Sequence, residues 1–107
     1  MISVTVTKEK GEFRRLYLLG HAGYADTDDV VCAAVSALVL NTINAIETFT
    51  EDHFSIGEDL GRGMIDFQFE DTVSHDSHLL METMILGIRK IIDSYGETYV
   101  SFNTQEV

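Results

Sequence analysis

The residue types able to do covalent chemistry gather in one stretch, Gly20-His21-Ala22-Gly23-Tyr24-Ala25-Asp26-Thr27-Asp28-Asp29-Val30-Val31-Cys32, which runs on into an apolar segment ending near Leu40. Cys32 is the single cysteine, and His21 stands a short loop upstream. A thiol becomes a strong nucleophile when its proton is removed, which a helix N-terminus and a neighbouring imidazole both favour. Asp29 is a good N-cap, and in that role it makes Cys32 the third residue of a helix. In that first turn a negative charge gains about 0.3–1 kcal/mol from the helix dipole. The chemistry on offer is acyl transfer, with the imidazole moving the thiol proton.

The same residues have plainer readings. A lone cysteine between Val31 and Ala33 is also what a small packed hydrophobe looks like, and His21 alone is an ordinary loop histidine. One of Asp26, Asp28 and Asp29 is a candidate to orient the imidazole, yet all three oppose a thiolate unless the histidine beside it is protonated. Asp29 has the cap role first. Ser36 lies one turn after Cys32 on the same face, able to hold a water or the thiolate, or to bond back to the Cys32 carbonyl. No metal site is expected, because zinc takes three or four ligands and this chain offers one cysteine. His53, His75 and His78 read as surface residues. Gly57, Gly61 and Gly63 precede a strand rather than a helix, so they form no phosphate-binding loop. No cofactor is implied.

The elements that must position these residues follow from periodicity. Ile2, Val4 and Val6 alternate with Ser3, Thr5 and Thr7, the pattern of a half-buried strand. Lys8-Glu9-Lys10-Gly11-Glu12 supplies a hairpin turn, and Phe13 to Leu19 a second strand ending at Gly20, so His21 sits just past a strand end. After the loop Ala22 to Asp28 comes a helix from Val30 to Phe49. Its first half is apolar almost all round, and Ala33, Ala34 and Ala37 invite close approach of a neighbouring element. His53 to Glu58 and Met64 to Phe69 flank Asp59-Leu60-Gly61-Arg62-Gly63 as a second hairpin. Asp71 to Ser77 is polar and rich in capping residues. From His78 to Tyr95 the residues Met81, Met84, Ile85, Ile88, Ile91, Ile92 and Tyr95 recur at helical spacing, with Gly96 at the helix end. Tyr99 to Phe102 is a last strand. The order ββαββαβ reads as an α+β fold, two helices packed on a mostly antiparallel five-stranded sheet, built like two ββα units.

With 107 residues, 45% of them hydrophobic, a single domain spanning 1–107 can bury one core without disulfides or metals. The N-terminus alternates instead of joining a basic region to an apolar block, and the run Val30 to Leu40 is shorter than the roughly 20 residues a membrane span needs. A cytoplasmic protein without membrane contact is expected. Net charge is −11, from 18 acidic against 7 basic residues, which argues against direct nucleic-acid binding and suits a basic partner.

Gly20-His21-Ala22 followed by Asp29-Val30-Val31-Cys32-Ala33-Ala34-Val35-Ser36-Ala37-Leu38 resembles the double motif of the ribosomal-processing cysteine proteases, the Prp family. Chain length and element order match as well, so the resemblance covers essentially the whole chain. It implies an endopeptidase that removes the N-terminal extension of a large-subunit ribosomal protein, number twenty-seven, during ribosome assembly. It further implies Cys32 as nucleophile, His21 as general base and acid, supporting roles for Gly20, Asp29 and Ser36, and a homodimer. The loop departs from the family pattern, being a residue or so shorter and lacking a glycine just before the aspartate. An apolar substrate groove is expected, with Tyr24, Phe54 and Leu60 as candidates to line it. The alternatives are a non-catalytic ribosome-assembly or partner-binding module with a packed cysteine, and a thiol-dependent acyl transferase.

Overall fold

A computed structural model describes residues 1–26 and 29–107. Five strands and two helices run in the expected order: β1 (Ile2–Glu9), β2 (Glu12–Leu19), α1 (Val30–Phe49), β3 (Phe54–Asp59), β4 (Met64–Phe69), α2 (His75–Tyr95) and β5 (Val100–Glu106). The sheet is mixed, in the order β3-β4-β2-β1-β5. Three neighbouring pairs are antiparallel, and β5 joins β1 in parallel.

One face of the sheet makes the core. Ile2, Val4 and Val6 of β1 are buried, as alternation demands, together with Phe13, Leu16 and Leu18 of β2. Phe13 and Leu16 both point inward although three residues apart, because the register slips by one between Thr7/Lys8 and their partners Arg15 and Phe13. That slip is a β-bulge, and it restores the inward row. Val31, Val35, Val39, Ile43 and Ile46 of α1 and Met81, Met84, Ile85 and Ile88 of α2 complete the core. By length and composition α1 is apolar enough to cross a membrane, but this buried valine and isoleucine row is the behaviour of a core helix.

The two helices touch through Gly87, where a Cβ would come within 2.8 Å of a Leu38 methyl. The close approach expected at the α1 alanines therefore occurs on α2's glycine. Ala33 and Ala37 are exposed instead. Two further boundaries differ from the sequence reading. Helix α2 begins at His75, three residues early, because Ser74 caps it through Ser77 N–H (3.2 Å) while Asp52 accepts from Ser74 N–H and Oγ at 3.0 and 2.7 Å. Strand β5 runs on to Glu106 because its ladder to β1 continues beneath polar side chains.

On the opposite face Arg15 grips Asp66 with two parallel hydrogen bonds of 2.8 Å. His78 keeps 46% of its side chain exposed at the surface, its ring centroid 5.0 Å from that of Phe13. His53 is exposed and pairs with Asp71 at 2.9 Å.

Candidate active site

Strand β2 ends at Gly20 because no side chain fits there. Its φ is +102°, and a Cβ would collide with the main-chain oxygen of Met1. Its N–H donates to the Gly63 carbonyl at 3.1 Å, so the β3–β4 turn leans on the end of β2. Gly63 is itself left-handed (φ +63°), and the space where its Cβ would stand lies 3.1 Å from Cε1 of His21. Two glycines thus bring the imidazole loop and the turn to backbone contact. Next in the chain, Ala22 is buried and pins the loop to the core.

The rest of the loop is tied at two points. Tyr24 stands edge-on to Tyr95 and Tyr99, with ring centroids 5.4 and 5.2 Å away, anchoring it to the end of α2 and the start of β5. Asp29 caps α1 as expected and does more. Its Oδ1 accepts from Cys32 N–H at 2.9 Å, and its Oδ2 accepts from Tyr24 N–H at 3.0 Å and Ala25 N–H at 3.5 Å. One carboxylate therefore fastens both ends of the loop. These N–H donors, Cys32's first, hold the Asp29 carboxyl below the usual carboxylate range.

Cys32, Ser36, His21 and Gly20 all line one cleft of about 150 Å³, walled by Leu18, Leu40, Leu60, Met64 and Ile65. Cys32 is half-buried in the first turn of α1, and His21 is exposed at the rim. Sequence spacing alone united the thiol, imidazole and hydroxyl, and the fold brings them together. Ser36 lines the cleft, and among the described residues its hydroxyl makes no bond back to the Cys32 carbonyl.

Asp29 does not orient the imidazole, since its oxygens are engaged by main-chain N–H groups. Asp26 is exposed and hydrogen-bonds to nothing among the described residues, and Asp28 lies outside them. The Cys32 N–H, a main-chain donor at the helix start, is also taken by Asp29. Of the three groove candidates, Leu60 lines the cleft, Phe54 packs on Phe67 at 4.8 Å, and Tyr24 faces the two tyrosines. Sequence reading overlooked Gly63, Met64, Leu40 and Glu58. Gly63 was visible only as a turn glycine, because nothing local ties it to His21. A larger open hollow of about 620 Å³ between α2 and β5 has no thiol or imidazole in its lining.

The family model of the cysteine protease Prp matches residues 1–101. The chain belongs to the Prp family. The ribosomal processing cysteine protease Prp of Bacillus subtilis is 32% identical over 106 residues, covering 91% of this chain and 92% of its own. The Staphylococcus aureus Prp is 29% identical over 99 residues, covering 91% and 93%. Crystal structures of the Staphylococcus aureus Prp, with a covalently linked product peptide and with a substrate peptide, superimpose with TM-scores of 0.90 and 0.86. They are 28% and 26% identical and cover 98% of this chain and 100% of theirs. As a Prp, this chain is a ribosomal-processing cysteine protease with a two-helix, five-stranded α+β fold.

The carboxylates of this Prp chain give stability a clear acid limb. Asp29 is shifted down by its N–H donors and Asp66 by the Arg15 guanidinium. Burial opposes ionisation of Asp52, but the hydroxyls of Ser77 and Ser74 outweigh it and the net shift is also downward. A carboxyl with a lower pKa folded than unfolded contributes fully above its unfolded value of about 3.9, and loses that contribution as pH falls through the folded value. His53 is shifted up by Asp71, so its small exposed contribution is present at low pH and fades as pH rises past about 6.5. The thermal midpoint is expected to fall below about pH 4. Calorimetry across pH checks this, and Asp66→Asn should flatten the acid limb.

Proposed function

We propose that this chain removes the N-terminal extension from the precursor of a large-subunit ribosomal protein, number twenty-seven, with Cys32 as nucleophile and His21 as general base and acid. The observation that carries this is the shared cleft. A half-buried thiol at a helix start and an imidazole at a strand end open onto one apolar space, in a family whose Staphylococcus aureus member has been solved with a covalently linked product peptide.

His21 takes the proton from the Cys32 Sγ, and the thiolate attacks the scissile carbonyl carbon. As the tetrahedral adduct collapses, the C–N bond breaks and the imidazolium returns the proton to the leaving amine. Water, deprotonated by His21, then attacks the thioester carbonyl, the C–S bond breaks to release the acid, and the imidazolium returns its proton to the Cys32 thiolate. Asp29 acts as a positioning residue, holding the loop and helix start in register. Ser36 and Gly20 support the thiol and the imidazole from within the cleft. No metal or cofactor takes part.

The net charge of −11 suits a basic ribosomal protein rather than RNA as the direct partner. Such a precursor is met in the cytoplasm, without membrane contact. The protein acts as a homodimer, for which α1 offers an exposed stripe of Val30, Ala33, Ala37 and Leu40 at helical spacing. Light scattering should return twice the 12.0 kDa chain mass, and Ala37→Glu should return it to one.

The test of the activity is incubation of the purified chain with the precursor, followed by mass determination of the products. A single cut that depends on Cys32 and His21 supports the reading. Cleavage that survives Cys32→Ala would overturn it. A covalent adduct with a small acyl donor and no peptide cut would point to the transferase instead.

A further inference from the structure

Strand β3 is an edge of the sheet, and it borders the cleft. Its pairing shows which main-chain groups are open. Glu70 N–H donates to the His53 carbonyl at 2.9 Å, and the register runs Phe54↔Phe69, Ile56↔Phe67, Glu58↔Ile65. In an antiparallel ladder hydrogen-bonded and non-bonded pairs alternate, so residues 53, 55, 57 and 59 bond to β4. The N–H and C=O groups of Phe54, Ile56 and Glu58 therefore point outward, away from the sheet.

The side chains of that same set face the helix side, opposite buried Phe69, Phe67 and Ile65. Phe54 is partly buried, Ile56 is 40% exposed, and Glu58 reaches the cleft wall. Among the described residues Glu58 is the only carboxylate in that lining, which is otherwise mostly apolar. Among the described residues no lysine or arginine pairs with it. Open main-chain groups and a carboxylate with no cationic partner among the described residues meet at one residue of the cleft that also holds the thiol.

We propose that the β3 edge takes the extended substrate chain as an added strand, and that Glu58 selects a lysine or arginine of that chain where it passes the cleft. The proposal rests on the proteolytic reading of Cys32 and His21. An added strand supplies affinity through main-chain hydrogen bonds and specificity through alternate side chains. A long cationic side chain fits the wall, its stem along Leu60 and Met64 and its head on the carboxylate. The basic character of a ribosomal precursor provides the complementary charge.

Binding to the Cys32→Ala chain separates this proposal from the cleavage chemistry. Fluorescein-labelled peptides spanning the cut are titrated by anisotropy, with each amide N-methylated in turn. Loss of affinity at every second amide is expected, and loss without that alternation overturns the added strand. A second series replaces each basic residue of the peptide with glutamate. At one position the change should weaken binding about tenfold, and Glu58→Lys should restore it. If Glu58→Lys binds both peptides as the parent does, Glu58 selects nothing. Should binding behave as described while the parent chain cuts no peptide, the proteolytic reading fails and the edge assignment stands.

Discussion

Cys32→Ala is expected to leave no measurable cleavage, and His21→Ala to lower kcat by about 10²–10⁴-fold. The two losses differ in kind. Removing Sγ takes away the atom that bonds to the substrate, so no acyl-enzyme forms and no electrophilic peptide labels the chain. Removing the imidazole leaves the thiol in the cleft, so labelling by an electrophile persists while turnover collapses. The fold should survive both changes. Cys32 is half-buried and its N–H still donates to Asp29, while His21 is exposed and its main chain is held by Gly20 and Ala22. Thermal midpoints close to the parent's would show that lost cleavage is lost chemistry. Because catalytic groups act as a unit, the double variant should fall no further than Cys32→Ala alone. Unchanged cleavage by Cys32→Ala would return Cys32 to the standing of a packed hydrophobe, and unchanged cleavage by His21→Ala would remove the imidazole from the proton transfers.

Much of this site is legible along the chain because its elements announce themselves locally. Ile2, Val4 and Val6 alternate, Asp29 stands where a cap must, and the cap fixes Cys32 in the first helical turn. Local rules fail where the partner is distant in sequence. The start of α2 is set by Ser74 with Asp52 from beyond β3 and β4. The parallel pairing of β5 with β1, and its extension through Asn103, Thr104 and Gln105, depend on a ladder that polar side chains do not signal. Tyr24 looked like a groove residue because an aromatic ring in a loop carries no direction, and Tyr95 and Tyr99 supply the direction. Asp29 looked like a possible partner of the imidazole, but three unpaired N–H groups hold its oxygens first. The alanines of α1 signal close approach of a neighbouring element without saying which element comes close. The α2 contact is made by Gly87 against Leu38 instead.

Gly63→Ala is expected to cost more than its place in a surface turn suggests. At φ +63° an alanine is strained by about 1–2 kcal/mol wherever it sits. Here its methyl would also stand 2.5 Å from the Gly20 carbonyl oxygen and 3.0 Å from its carbon, both main-chain atoms that cannot rotate away. The turn and the end of β2 must separate, and the 3.1 Å hydrogen bond from Gly20 N–H to the Gly63 carbonyl stretches with them. A combined loss of roughly 2–3 kcal/mol would lower the thermal midpoint by about 10–20 °C. Activity should fall further than stability accounts for. His21 follows Gly20 directly, and its Cε1 lies 3.1 Å from the new methyl, so the imidazole is displaced from the thiol it serves. A shift near 1 Å costs about 10²-fold, and because Leu60 and Met64 on the same turn wall the cleft, it should appear in kcat and KM together. Gly61→Ala, in the same turn, meets only the Asp59 carboxylate at 3.5 Å, an ordinary contact, and should keep both kcat and melting near the parent values. Kinetics well below the melting point separate the two effects. A Gly63→Ala chain with the parent kcat would show that the turn carries the fold but not the imidazole, whereas a kcat loss confined to Gly63 would make the β3–β4 turn the element that aims His21.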